Sequence, residues 1–175
     1  MAGVQGALRL VQMIAIMIWV GGLIFFAFVL APTAFRTLPN VHEAGLIVGA
    51  TLRVFDFVAL GCGALFLAAT ALMTESAGTP VRRRLRVELA LAGAMVLGTS
   101  YLQWGILPPM EVDRARAGGD INSVAPTDPA RVHFDKLHAR SERVEGGVLL
   151  LGLAVVLLMS RETMQVRAST VVRAG

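Results

Sequence analysis

The stretch TLRVFDFVALGCGALFLAATALM, residues 51–73, decides the fold class of this chain because it is almost entirely apolar yet carries two charges near its start. A helix that crosses a membrane needs about 20 predominantly apolar residues. The run from 57 to 74 contains no charged residue, whereas Arg53 and Asp56 stand three positions apart just before it. Residues at this spacing share one face of a helix. The stretch therefore predicts a membrane helix with a polar group near one end.

Three further uncharged runs accompany it, at residues 10–35, 89–110 and 146–160. Only 16% of the 175 residues are charged, whereas soluble domains average about a quarter. This composition predicts an all-α integral membrane protein, a single four-helix bundle. Its predicted spans are approximately residues 9–35, 53–74, 88–109 and 141–160, with an outer loop and helix extension over 111–137.

The arginines predict the orientation of the bundle. Arg82, Arg83, Arg84 and Arg86 crowd one short connection, and such connections stay on the cytoplasmic side. Both termini are then cytoplasmic, as the position of Arg9 also indicates. Because the basic residues are concentrated at the ends of apolar runs, they favour the lipid bilayer as the partner and not nucleic acid. We expect a multi-pass protein of the bacterial inner membrane.

Helix-start signals predict that two helices project beyond the membrane. Asn40 with Glu43 has the spacing of a capping box, and Asp128 precedes a proline in the first helical position. Helices over about 41–73 and 129–160 would each be about 50 Å long, against a hydrocarbon core of about 30 Å. The sequence Pro-Pro-Met at 108–110 predicts the end of the third helix.

Polar residues from three helices are predicted to reach one height. At about 1.5 Å per residue, Asp56 and Glu145 both lie roughly 23–26 Å from the cytoplasmic edge. Arg53, Ser141 and His138 lie slightly higher. The candidate site for a ligand or ion is therefore Arg53, Asp56, His138, Ser141 and Glu145, with Gln12, Trp19, Gln103 and Trp104 as secondary candidates.

This predicted cluster has two main interpretations. In the first, Arg53 lies between Asp56 and Glu145 and clasps the second helix to the fourth. In the second, the cluster is an outward-opening pocket for a small ligand or ion, with His138 as a titratable group or the best candidate metal ligand. Simple snorkelling of these side chains to the surface is a third alternative.

Enzyme chemistry has no specific signal in the sequence. No nucleophile–base pair, phosphate-binding loop or metal motif of known spacing is present, so we expect a protein without catalytic activity. The single cysteine, Cys62, excludes an intrachain disulfide and is typical of a packing residue. The bundle is small enough that a homo-oligomer or a role as accessory subunit of a larger membrane complex is also expected.

Three segments carry a family resemblance: VQMIAIMIWVGGLIFFAFVLAPTAFRTLP (11–39), AGLIVGATLRVFD (44–56) and FDKLHARSERVEGGVLLLGL (134–153). Together they resemble the transmembrane protein 205-like family, a domain of unknown function found in bacteria and eukaryotes. The resemblance implies the four-helix fold and a membrane location. Eukaryotic relatives are associated with drug export and vesicle traffic, which implies binding or transport. The family usually has an amide at the position of Glu145.

A more distant resemblance links the chain to copper-resistance protein D and to four-helix, haem-binding protoporphyrinogen oxidases. Those families have a histidine seven residues before the tryptophan of a similar W-x-G-G segment. This chain has Gln12 ahead of Trp19, so the first axial haem ligand is missing. A redox module that holds haem b or copper through His138 and a methionine stays as the alternative function.

Overall fold

The computed structural model of the chain describes the backbone of residues 2–75 and 77–174 and the side chains of 3–75 and 77–161. Within these residues the chain is helical and contains no strand. We divide it into four long helices. Helix α1 comprises Ala2–Phe25, a π-helical segment Phe26–Leu30 and Ala31–Thr37. Helix α3 likewise comprises Thr79–Tyr101, a π-helical segment Leu102–Ile106 and Leu107–Arg116. The other two helices are uninterrupted: α2 is Val41–Glu75 and α4 is Pro129–Ala174.

Each of the four helices is long and apolar enough to cross a membrane. The candidate spans are Gly3–Thr37, Val41–Glu75, Thr79–Arg116 and Pro129–Arg161. Large apolar side chains such as Phe28, Leu97 and Leu150 are exposed on the outside of the bundle, where acyl chains would cover them. The predicted all-α, four-helix, multi-pass membrane protein is confirmed.

The helices form a ring in chain order. Helix α2 packs against α1 and α3, and α4 packs against α3 and α1. Helices α2 and α4 therefore face each other across the interior and are not packed as neighbours.

Small residues let the four helices approach closely at one level in the middle of the bundle. A Cβ atom on Gly63 would lie 2.6 Å from Val96 and 2.8 Å from the ring of Trp19. A Cβ atom on Gly152 would lie 2.5 Å from Val20, on α1. We call this level the glycine layer; its members are Trp19, Val20, Gly63, Val96 and Gly152.

We expect Gly63→Ala to destabilise the bundle by about 1–3 kcal/mol, because the added methyl group overpacks a buried contact. The measurement is thermal unfolding of the purified protein in detergent. Gly61→Ala is the matched control, since a Cβ atom there meets nothing within 4 Å. Equal effects of the two substitutions would show that the glycine layer is not tightly packed.

Capping interactions begin α2 and α4 as predicted. Asn40 Oδ1 accepts a hydrogen bond from the Glu43 amide at 2.8 Å, and Asn40 Nδ2 donates to Glu43 Oε1 at 2.9 Å. Asp128 Oδ1 accepts a hydrogen bond from the Ala130 amide at 2.8 Å, with Pro129 in the first turn. Both starts are thus fixed by side-chain chemistry close to them in the sequence.

Helix α3 does not end at Pro108–Met110, so that prediction is wrong. The helix switches to the π register at Leu102, whose carbonyl accepts a hydrogen bond from the Leu107 amide. Pro108 then stands in the first turn of the segment that follows, where an amide proton is not needed. The helix continues to Arg116 and stops at Gly118 and Gly119, whose φ angles are +77° and +100°.

Two names describe the ends of the bundle. The cap end carries the connections 38–40 and 117–128, together with the last turns of α3 and the first turns of α4. The arginine end carries the connection between α2 and α3 and the residues Arg82, Arg83, Arg84 and Arg86.

Candidate functional site

Polar residues from three helices lie at one level between the glycine layer and the cap end. Seven residues of α-helix span two turns, or about 10.5 Å. A step of two turns towards the cap end leads from Gly63 to Asp56 on α2, from Val96 to Gln103 on α3 and from Gly152 to Glu145 on α4. We call these three residues the acceptor layer. On α1 the corresponding residue is Phe26, which is buried.

The acceptor layer contains buried oxygen atoms that receive no hydrogen bond. Asp56 is 2% exposed and Gln103 is 5% exposed, so both side chains point into the bundle and not towards lipid. Asp56 Oδ2 and Gln103 Oε1 have no hydrogen-bond partner among the described residues. Glu145 is half-buried, and its carboxylate is within electrostatic range of Asp56. Each buried acceptor without a donor lowers the stability of the fold by about 1–3 kcal/mol. A positive or hydrogen-donating group in the layer would remove this cost.

Arg53 does not supply that group. Its Nη2 atom lies 2.8 Å from Glu111 Oε1, in an ion pair between α2 and α3 whose side chains are 38% and 55% exposed. The predicted position of Arg53 between Asp56 and Glu145 is therefore wrong. The physical reason is the continuation of α3 beyond its prolines, which brings Glu111 to the height of Arg53.

Ser141 and His138 lie one and two turns beyond Glu145 on α4. The Ser141 side chain is buried, and its hydroxyl donates to the carbonyl of His138 at 2.8 Å. The His138 ring is exposed, stacks on Phe134, and places Nε2 3.4 Å from Glu142 Oε1. It therefore stands apart from the acceptor layer. Among the described residues, no group of three or more His, Cys, Asp or Glu side chains is arranged to hold a metal ion, at His138 or elsewhere.

The four secondary candidates lie in different parts of the bundle. Gln12 is fully buried near the arginine end, and its Nε2 atom donates to Thr70 Oγ1 at 2.6 Å. Trp19 is buried in the glycine layer. Trp104 follows Gln103 directly but is 60% exposed on the outside of the bundle. Of these four residues, only Gln103 joins Asp56 and Glu145.

A buried ionic cluster at the arginine end was not predicted. Glu88 is 0% exposed and lies 3.1 Å from Arg84 Nε and 3.5 Å from Arg9 Nη1. Arg9 also donates to Gln12 Oε1 at 2.9 Å. We call the set Arg9, Gln12, Thr70, Arg84 and Glu88 the arginine-end clasp; it joins α1, α2 and α3. The i,i+4 spacing of Arg84 and Glu88 is the sequence signal that could have indicated it.

A second unpredicted contact joins α3 to α4 at the cap end. Asp113 is 2% exposed, and its Oδ2 atom lies 2.5 Å from His133 Nδ1. An adjacent cavity of about 310 Å³ is lined by Asp113, Arg116, Asp128, Pro129, Ala130 and His133. Lone histidines in outer segments are usually solvated, so only the packed structure reveals this partner.

The comparisons with known proteins place the chain in a family. Searches of curated proteins and of solved structures gave no match. The family described as "Domain of unknown function (DUF4149)" matches residues 14–116, which include most of α1, all of α2 and α3, and the residues Asp56 and Gln103. Because this match covers more than half of its length, the chain belongs to the DUF4149 family.

Proposed function

We propose that this membrane protein binds a small cation in the membrane interior, at the acceptor layer of Asp56, Gln103 and Glu145, as part of an ion-transport role. The observation that carries the proposal is the buried, unpartnered Oδ2 atom of Asp56, with a second carboxylate within electrostatic range. A charge in the bilayer interior costs about 2.5–3.5 kcal/mol on insertion scales. A bound cation lowers this cost, because its charge offsets that of the buried carboxylate of Asp56.

The charge distribution favours a cation over an anion. Arg53, the basic residue of the predicted cluster, is bound to Glu111. Arg140, on α4, donates to the hydroxyl of Tyr101 at 3.2 Å, and Arg143 is exposed. The acceptor layer thus presents two carboxylates and an amide oxygen, and no described basic side chain is left to receive an anion there.

The resemblances and the charge pattern add to the proposal. The segments 44–56 and 134–153 contain Asp56 and Glu145 and resemble the transmembrane protein 205-like family, whose eukaryotic members are associated with export. The arginine end is the cytoplasmic side under the positive-inside rule. The acceptor layer then lies closer to the outer face of a bacterial inner membrane than to the cytoplasm.

A haem- or copper-binding redox module was the alternative function. It needs ligands with free lone pairs in the interior, and the described residues do not favour it. Gln12, at the position of the missing axial histidine, is engaged with Thr70 and Arg9. His138 faces outward beside Glu142. No specific observation favours an accessory-subunit role either.

The proposal is tested by thermal unfolding of the purified protein in detergent against a panel of cations. The panel is H⁺, NH₄⁺, Na⁺, K⁺ and Ca²⁺, at ionic strength held constant with N-methyl-D-glucamine chloride. A ligand at 100 times its Kd stabilises the native state by about 2.7 kcal/mol. We expect at least one cation to stabilise the wild type and to have little effect on Asp56→Asn and Glu145→Gln.

Asp135→Asn serves as the control, because Asp135 is an exposed acid on the same helix as Glu145. It should respond to each cation as the wild type does. The proposal fails if the wild type and Asp56→Asn respond identically to every member of the panel.

A further inference from the structure

Main-chain carbonyl groups lose their amide donors close to the acceptor layer. In the π-helical segment Leu102–Ile106, the Leu107 amide donates to the carbonyl of Leu102. The carbonyl of Trp104 would pair with residue 108 in the α register or 109 in the π register. Both positions are proline, which has no amide proton, so neither register provides a donor.

The carbonyl of Gln103 is in a similar position. Its donor in the α register is the Leu107 amide, which is directed to Leu102, and its donor in the π register would be Pro108. Gln103 therefore has an unpartnered side-chain oxygen and also a main-chain oxygen without a regular helical donor.

Helix α1 repeats this arrangement at the same level. In its π-helical segment Phe26–Leu30, the Ala31 amide donates to the carbonyl of Phe26. The carbonyl of Ala27 is left with Pro32 as its partner in the π register. Ala27 stands two turns beyond Val20, which belongs to the glycine layer. Ala27 and Trp104 are both exposed on the outside of the bundle, so the carbonyl of Gln103 is the one of these groups whose residue points into the layer.

We infer that the acceptor layer takes a dehydrated alkali-metal cation, Na⁺ or K⁺, coordinated by Asp56 and by the side-chain and main-chain oxygen atoms of Gln103. The inference rests on the proposed function and names its ligand class. Main-chain amide and carbonyl groups in the membrane interior need a hydrogen-bond partner or a ligand. In the unwound helices of transporters, main-chain carbonyl groups coordinate Na⁺. Hard oxygen ligands select such cations.

The charge count favours a monovalent ion. Asp56 is the fully buried carboxylate of the layer, whereas Glu145 is half-buried and the other proposed ligands are neutral oxygen atoms. One positive charge balances Asp56. A divalent cation would need the second carboxylate as a direct ligand and would be harder to dehydrate.

Calorimetric titration of the full-length protein in detergent with NaCl, KCl and CaCl₂ tests the inference. We expect Na⁺ or K⁺ to bind the wild type, Gln103→Leu to bind it at least about 10-fold more weakly, and Pro108→Ala to weaken it several-fold by restoring an amide donor for the carbonyl of Gln103. Gln12→Leu, which removes a buried amide from the arginine-end clasp, should leave the affinity within twofold of wild type. Thermal unfolding of each variant verifies that it is folded.

The possible outcomes separate this inference from the proposed function. In one outcome, H⁺ or NH₄⁺ stabilises the wild type but not Asp56→Asn, and calorimetry detects no binding of Na⁺ or K⁺. The inference is then overturned and the proposed function stands. Binding of Ca²⁺ in preference to both alkali ions overturns the monovalent class. Alkali binding that neither Gln103→Leu nor Pro108→Ala weakens overturns the ligand set. If no cation distinguishes the wild type from Asp56→Asn, both proposals fail.

Discussion

We expect Asp56→Asn to weaken cation binding by at least about 100-fold while the protein stays folded. The substitution keeps the shape of the side chain but removes the charge that the cation neutralises. A loss of about 3 kcal/mol, typical for an interaction with a buried charged group, corresponds to about 100-fold in Kd. The readout is titration calorimetry with the cation that the wild type binds best.

The stability of Asp56→Asn should depend on the cation. In cation-free buffer we expect its unfolding temperature to equal or exceed that of the wild type, because a buried carboxylate with an oxygen atom that lacks a partner is destabilising. Saturating cation should reverse this order, since only the wild type gains binding energy. Asp135→Asn, at an exposed acid on the same helix as Glu145, should match the wild type in both buffers. A large loss of stability in cation-free buffer would instead identify Asp56 as a structural hydrogen-bonding group.

The largest loss of stability is expected from Glu88→Ala, at about 3–5 kcal/mol. Glu88 is fully buried between Arg9 and Arg84, whose side chains are 18% and 22% exposed. Its removal leaves two guanidinium groups close together without their shared carboxylate. Chemical or thermal unfolding in detergent gives the magnitude.

Glu142→Ala is the matched control for Glu88→Ala. Glu142 also pairs with a basic residue at i,i+4 spacing on its own helix, but both side chains are exposed, so the loss should stay below about 1 kcal/mol. Cation affinity should be unchanged in Glu88→Ala, because Thr70 of the arginine-end clasp and Asp56 of the acceptor layer are about 14 residues, or about 21 Å, apart along α2. Similar losses of stability in the two variants would mean that the clasp does not hold the helices together.

The features that the sequence predicted correctly are local ones. Uncharged runs identify membrane spans because each charged residue adds its own free-energy cost of insertion into the membrane. The starts of α2 and α4 were predictable because Asn40 and Asp128 cap amides only two or three residues away. Counting along regular helices likewise brought Asp56, Gln103 and Glu145 to similar heights before any packing was known.

The features that the sequence did not predict depend on contacts between helices. Whether α3 stops or continues at Pro108 is decided by a π-helical segment, which hydropathy does not reveal, and this also decides the partner of Arg53. The burial of Glu88 depends on the packing of α1, which places Arg9 beside the Glu88 carboxylate. The outward direction of His138 depends on what fills the interior face of α4 beside it.

Binding of a cation between Asp56 and Glu145 is tested most directly by infrared difference spectroscopy of the protein in lipid nanodiscs, with cation-loaded and cation-free samples compared. We expect carboxylate stretching bands to change on loading, and the change to be lost in Asp56→Asn and reduced in Glu145→Gln. Identical carboxylate bands in the loaded and cation-free wild type would contradict an ion site in the interior of this bundle.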